Sequence, residues 1–297
     1  MVSPPGTRIF IEMGLTKDNR ILIVGLGLMG GSYAQALTEA GYHVGAVTRS
    51  QSSIDYALEN GLIESGTINP TAEYIGEFDV IVFSLYPHVF LDWIEKHQSY
   101  IKKGAILTDV TGVKQSVVYK VQAIIRPDLE FIGAHPMAGR EVYGVQNATA
   151  RIFNGANYIV TPTEANSARA IEICKDLGRV IGCARISELT PEVHDEMIGF
   201  LSQLTHCIAV SLMTCKESDH LVSYTGDSFR DLTRIAKINE EMWSELFLLN
   251  KRELLEQMDL FTQQFGKLRQ AIEDGDTDTM KDMMRLSTSR RTLFDKK

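Results

Sequence analysis

Between Arg20 and Gly41 the chain reads RILIVGLGLMGGSYAQALTEAG, and no other stretch limits its fold as tightly. The β-branched apolar run Ile21–Val24 has the composition of a parallel strand buried on both faces. It leads into Gly25-Leu26-Gly27-Leu28-Met29-Gly30, then Gly31 and a helical pattern that stops at Gly41. Strand, glycine turn and helix is the context in which G-x-G-x-x-G becomes a dinucleotide fingerprint. Gly25 permits the turn, Gly27 leaves room for a pyrophosphate against the backbone, and Gly30 lets the helix pack close to its strand. The helix start, with Leu28 and Met29, offers unpaired N–H groups and a partial positive charge to phosphates. An ordinary glycine-rich strand–turn–helix is the plainer alternative.

Length and charge narrow the partners. At 297 residues the chain is long enough for about two domains with full cores. Its 44% hydrophobic and 23% charged content suit a globular protein, and no apolar run approaches the ~20 residues that span a bilayer. Met1–Asn19 carries Pro4-Pro5-Gly6, Glu12 and Asp18 and lacks the build of a secretion signal; residues 1–18 read as a loose leader. Cys174, Cys183, Cys207 and Cys215 show no C-x-x-C spacing. They suit a reducing cytoplasm and give no reason to expect a metal. A formal charge of −8 argues against nucleic acid. An anionic small substrate would have to be caught by locally placed cations.

Further strands follow at Tyr42–Val47, Asp79–Leu85 and Ala105–Val110, alternating with helical patterns. This predicts an α/β, Rossmann-type doubly wound parallel sheet over residues 19–187, with ligands beyond the carboxyl ends of the strands. The second strand ends Val47-Thr48-Arg49-Ser50, without the acid that many NAD enzymes place against the ribose 2′-hydroxyl. Thr48, Arg49 and Ser50 suit a 2′-phosphate instead, so NADP is expected over NAD; Arg49 stacked on adenine or facing solvent is the alternative. Ser84, Asp109 and Thr111 fall on the cofactor rim, although each could equally be a helix cap. Next comes EFIGAHPMAGRE, Glu130–Glu141, with a short strand Phe131–Gly133 and His135 expected where it breaks. An imidazole there, titrating near neutrality, can take a proton from an alcohol being oxidised. A half-buried histidine bonding a glycine-rich loop is the competing account. Tyr158–Thr161 and Arg179–Ile186 read as closing strands around a helix Ser167–Leu177.

Residues 188–297 read as all-helical. Thr190-Pro191 starts a long helix with a stripe at Ile198, Leu201, Leu204, Ile208 and Leu212, expected to be largely buried. Ser202 and His206 share a face. Arg230, Arg234 and Lys237 would set three cations along another helix, either to capture a dianion or simply to meet solvent. From Trp243 to Ile272 the pattern stays helical. Leu254, Met258, Phe261, Phe265, Leu268 and Ile272 form a heptad-like seam that fits a homodimer or a bundle within one subunit. A last helix is expected at Thr277–Arg291, with no appended regulatory module expected before Lys297.

With these residues in view, the chain resembles the prephenate/arogenate dehydrogenase family of tyrosine biosynthesis. The resemblance rests on the glycine turn, Asp109–Lys114 (DVTGVK) and above all Gly133–Glu141 (GAHPMAGRE). It continues through His194-Asp195, Ser202–His206 (SQLTH), Phe229–Ala236 (FRDLTRIA) and Met242-Trp243, covering Arg20 to about Gly275. It implies oxidation at C4 of a cyclohexadienol by hydride transfer to NAD(P), coupled to loss of the ring carboxylate as CO₂. His135 matches the histidine that bonds the 4-hydroxyl, and Arg234 the arginine that holds a substrate carboxylate. Ser202, His206 and Trp243 match the substrate pocket. Where many members have Ser, this chain has Gly112, so the assisting hydroxyl is either missing or supplied by Thr111. Gln203 stands where a second His is common. Prephenate and arogenate differ only in a side-chain keto or amino group, which nothing in these residues reads. A β-hydroxyacid dehydrogenase would need a lysine within Glu192–Val210, which has none. A non-catalytic nucleotide sensor would leave His135 and Arg234 idle.

Overall fold

Residues 14–217 and 220–294 are described by the computed structural model; most of the expected leader lies outside them. The strands β1 (Arg20–Val24), β2 (His43–Val47), β3 (Ser65–Thr67), β4 (Val80–Phe83), β5 (Ile106–Asp109), β6 (Glu130–Pro136), β7 (Asn157–Thr161) and β8 (Arg185–Glu188) form one sheet in the order 3-2-1-4-5-6-7-8. Pairings from β3 through the first half of β6 are parallel, and β6 meets β7 antiparallel. The first six strands thus have the order of a dinucleotide-binding sheet. The three-residue β3 carried no signal in the sequence, since Ser-Gly-Thr lacks an apolar run.

Helices cover both faces: α1 (Leu28–Glu39), α2 (Gln51–Glu59), α3 (Ala72–Ile75), α4 (Pro87–His97), α5 (Gln115–Ile124) and α6 (Ala168–Val180). Alternate residues of β1 divide between two cores, Ile21 and Ile23 joining Tyr33, Leu37, Phe153 and Ile173, and Leu22 and Val24 joining Phe83, Phe90, Val117 and Phe131. Period-two alternation in a strand covered on both sides explains why its sequence is uniformly apolar. Two local expectations need correction. Arg179 and Val180 end α6 instead of starting a strand. His135 lies within β6, opposite Ile159 of β7, because antiparallel pairing carries the strand past Gly133.

A continuous helix then runs from Pro191 to Thr214, as α7 (Pro191–Ile198), a π-helical turn (Gly199–Leu204) and α8 (Thr205–Thr214). The chain continues through α9 (Leu221–Tyr224), α10 (Asp227–Thr233), α11 (Glu240–Leu249), α12 (Lys251–Glu273) and α13 (Thr277–Arg291). The wide π turn shifts the phase of the apolar stripe. Ile198 and Leu204 are buried while Leu201 is 50% exposed, so this helix is not largely buried. By length and composition it is also long and apolar enough to cross a membrane, which corrects the expectation that no such run exists. The cationic stripe is broken too, because α10 ends at Thr233 and Arg234–Ala236 tightens into a 3₁₀ turn. The helical segment is tied to the sheet domain: Leu246 of α11 enters the second core, and Glu245 accepts from the His88 backbone at 2.8 Å.

Candidate active site

The glycine turn has the shape its sequence requires. Gly25 has φ 100°, and a Cβ there would lie 2.4 Å from the Ser84 carbonyl oxygen. A Cβ on Gly30 would lie 1.8 Å from the Gly25 carbonyl oxygen, whereas one on Gly27 meets nothing within 4 Å. Two glycines therefore close the turn, and the third leaves a cradle at the start of α1, whose first turn has no side-chain cap. These are the features a pyrophosphate needs, so the residues present fit a dinucleotide. Leu28 and Met29 open that helix, and Ser84 borders the turn. Thr48 and Arg49 follow β2, with Arg49 exposed; Ser50 caps α2, accepting from the Ser53 N–H at 3.2 Å.

Asp109 and Thr111 do not sit on that rim. Asp109 is fully buried. It accepts from the Ala134 N–H (3.1 Å), the Thr111 N–H (3.0 Å) and Lys114 Nζ (2.7 Å). The Thr111 hydroxyl donates to the same carboxylate, at close range to the Val113 carbonyl (3.0 Å) and Lys114 Nζ (3.1 Å). Its lone hydrogen is committed there, so Thr111 does not supply a hydroxyl partner to His135. Burial pulls the Lys114 ammonium below its usual range, against the opposing pull of Asp109. Carboxylate, ammonium and hydroxyl satisfy one another in the floor of the site, as buried charges must.

The partner of His135 is another imidazole. His135 Nδ1 lies 2.9 Å from His194 Nε2, and His194 Nδ1 lies 2.7 Å from Asp195 Oδ1. The Asp195 carboxylate also accepts the backbone N–H of Lys114 (2.7 Å) and of Gln115 (2.8 Å) at the start of α5. Burial raises its pKa to about 6, with those two N–H groups pulling the other way. Burial also drives both imidazoles well below the usual histidine range, helped at His135 by His194 and Lys114 and at His194 by Lys114. At neutral pH, then, both rings are neutral and Asp195 is ionised. The His194-Asp195 pair stood in the sequence as part of the resemblance without a role. Its signal was there, two titratable residues in the first turns of a helix, but the partner 59 positions away was not.

A second group of residues gathers beside this one. The His206 and Trp243 rings lie against each other, centroids 3.7 Å apart and tilted by 31°, and His206 Nδ1–H donates to the Ser202 carbonyl at 2.9 Å. Burial lowers the His206 pKa, while the charges of Glu141 and Arg234 act on it with opposite signs. Arg234 Nη1 meets Glu141 Oε1 at 2.9 Å, on the loop six residues beyond His135. Gly112 joins the two groups: a Cβ there would stand 3.6 Å from Leu246, one turn after Trp243, and 3.9 Å from the His135 ring. The π turn carries Gln203 inward to the Leu246 carbonyl (3.1 Å) and to Asn250 (2.8 Å), fixing α11 against the long helix.

A glycine-turn cradle at the end of β1 and a neutral imidazole on β6 of the same sheet, with Leu246 of the Trp243 helix close to that imidazole, make a coherent candidate for dinucleotide chemistry. Comparison with known proteins gives the class: this is an NAD(P)-dependent oxidoreductase. Residues 33–186 match the prephenate dehydrogenase nucleotide-binding domain and residues 190–286 the prephenate dehydrogenase dimerization domain. The chain belongs to the prephenate dehydrogenase family. It is 30% identical to a prephenate dehydrogenase of Bacillus subtilis, over 90% of this chain and 74% of that one. It is also 30% identical to a cyclohexadienyl dehydrogenase of Zymomonas mobilis, over 88% and 92%. Among solved structures it is similar to the A. aeolicus prephenate dehydrogenase in complex with hydroxyphenyl propionate and NAD+ (TM-score 0.85, 28% identity, 93% of this chain and 98% of that one). The Synechocystis arogenate dehydrogenase is similar as well (TM-score 0.80, 25% identity, 93% and 100%).

Proposed function

We propose that the chain oxidises and decarboxylates prephenate to 4-hydroxyphenylpyruvate in tyrosine biosynthesis. The observation that carries the reading is His135, a neutral imidazole near the end of β6, bonded to His194 and close to Gly112, which Leu246 of the Trp243 helix also approaches. Gly25, Gly27, Leu28, Met29, Gly30 and Ser84 would hold the dinucleotide, which when bound would supply the hydride acceptor. His135 takes the proton of the 4-hydroxyl as C4 becomes a carbonyl-like carbon, assistance typically worth ~10²–10⁴ in rate. Arg234 exchanges Glu141 for a substrate carboxylate, where a planar fork binds both oxygens. Loss of CO₂ leaves an aromatic ring, so the protein's task is juxtaposition and the management of one proton. Arogenate is the second reading, favoured by the full-length likeness to the Synechocystis enzyme. Absorbance of the reduced nicotinamide with each substrate and each cofactor tests both. Turnover with arogenate alone would select the second reading, and turnover with neither would end both.

NADP is the proposed cofactor, with NAD as the alternative. The support is Arg49 at the end of β2, where no carboxylate is available for a 2′-hydroxyl. Arg49→Ala is expected to weaken NADP binding at least about tenfold, the scale of one lost charge-assisted contact, and to leave NAD binding nearly unchanged. Equal losses in a fluorescence titration would defeat the assignment.

The chain is further proposed to act as a cytoplasmic homodimer, with no nucleic acid or membrane partner. Phe261, Phe265 and Ile272 of the predicted seam are 39%, 62% and 61% exposed, as are Phe200 and Leu201 on the long helix at 53% and 50%. So much apolar surface on helices that pack against one another calls for a covering partner. A second copy would cover the bilayer-length helix too. Light scattering should give twice the chain mass, and Phe265→Asp should shift it toward the monomer.

A further inference from the structure

We propose that Asp195 and His194 are positioning residues that hold His135 in the tautomer needed for base catalysis. The inference rests on the reading of His135 as the base and adds how that base is prepared. An ionised carboxylate only accepts hydrogen bonds. Asp195 therefore takes the Nδ1–H of His194, at 2.7 Å, alongside the Lys114 and Gln115 backbone N–H groups. That leaves His194 Nε2 with its lone pair, so the 2.9 Å contact must be filled by the Nδ1–H of His135. The remaining nitrogen of His135, Nε2, then carries the lone pair. Each step follows from donor and acceptor counting, and the result is the less common tautomer of a free imidazole, imposed from two residues away.

The same chain serves the protonated state. When His135 Nε2 receives the substrate proton, its Nδ1–H keeps donating to His194, whose far side faces the Asp195 carboxylate. The new positive charge meets an oriented lone pair and an anion behind it, without any group having to turn. A carboxylate holding one imidazole is the familiar form of this device; here a second imidazole is interposed. Rigidity comes from three elements. His194 and Asp195 are fully buried on α7, the start of α5 donates to the carboxylate, and Asn250 holds the Asp195 carbonyl at 2.9 Å. The charged groups that bear on the chain are Lys114 with its partner Asp109 on the sheet side and Glu192 on the same helix. Lys251, Arg252 and Glu253 line the cavity next to Asp195.

The first test reads the parent protein directly and uses a variant for assignment alone. Long-range nitrogen–proton NMR on uniformly labelled protein, with His135 assigned through its absence in His135→Asn, is expected to show His135 protonated on Nδ1 at pH 7. Protonation on Nε2 would overturn the proposal whatever substrate the enzyme uses, which keeps its failure separate from failure of the prephenate reading. The second test is Asp195→Asn, expected to lower kcat on the order of 10²-fold with substrate KM and NAD(P) affinity within about twofold of the parent. Its kcat acid limb is expected at lower pH, because the imidazolium loses its anion. His194→Gln, which keeps a carbonyl acceptor for His135, is expected to retain more kcat than His194→Phe, which keeps none. An unmoved acid limb in Asp195→Asn, or equal activity in the two His194 variants, would reduce the relay to a structural support and overturn the proposal.

Discussion

Turnover is expected to fall by ~10²–10⁴-fold in His135→Asn, with NAD(P) affinity and substrate KM changed little. Asparagine keeps a polar side chain of similar reach but cannot accept a proton at neutral pH, so the loss falls on the chemical step. Arg234→Gln should do the opposite, raising KM with a smaller effect on kcat, because it removes an interaction made before and during reaction alike. Steady-state kinetics on both variants decides the roles. The reverse pattern, with His135→Asn chiefly raising KM, would mean that the histidine binds and the arginine assists. The acid limb gives a second check. Because burial, His194 and Lys114 hold the His135 pKa well below the usual histidine range, the base stays unprotonated, and the enzyme active, at pH values where an exposed histidine would already be charged.

Lys114→Met is expected to destabilise the protein by about 3–5 kcal/mol, the usual loss when one member of a buried ion pair is removed. The Lys114 and Asp109 side chains are both fully buried and 2.7 Å apart, and methionine fills the space while leaving a buried carboxylate uncompensated. Thermal unfolding should show Tm lower by roughly 10 °C. Adding Asp109→Leu should recover only part of that loss, since Asp109 also accepts from the Ala134 and Thr111 N–H groups, which leucine would orphan. A Lys114→Met protein within 1 kcal/mol of the parent would show that Lys114 is neutral in the fold and that the pair contributes packing alone.

Much of the first domain could be read from residue order, and the reason is local. β1, β2, β4 and β5 are short runs that are apolar for most of their length because both faces are covered, and Gly25 and Gly30 admit no side chain because backbone oxygens lie within 2.4 Å of where one would start. Such constraints act within a few residues and leave a direct trace. The expectations that failed were those in which a distant segment overrode the local pattern. β6 runs on through His135 because β7 pairs with it. Leu201 turns outward because a π turn lets Gln203 reach Leu246 and Asn250. The three-cation stripe ends at Thr233, where the helix tightens and Arg234 reaches Glu141.

The same division runs through the site. From sequence came the cradle, the histidine in Gly133–Glu141 and the arginine in Phe229–Ala236, since each sits in a short motif whose chemistry is carried by neighbours. Thr111 and Asp109 looked like rim residues by position alone, and their burial became evident only when Lys114 was found against them. The link from His135 to His194 to Asp195 spans two domains and 60 positions, and no periodicity encodes a hydrogen bond between side chains on a strand and a helix so far apart. Sequence by itself determined which groups are present and the strand–turn–helix units that carry them. Tertiary structure alone decided which polar atoms meet, because burial favours pairing each donor with an acceptor and only the packed chain fixes which one is within reach.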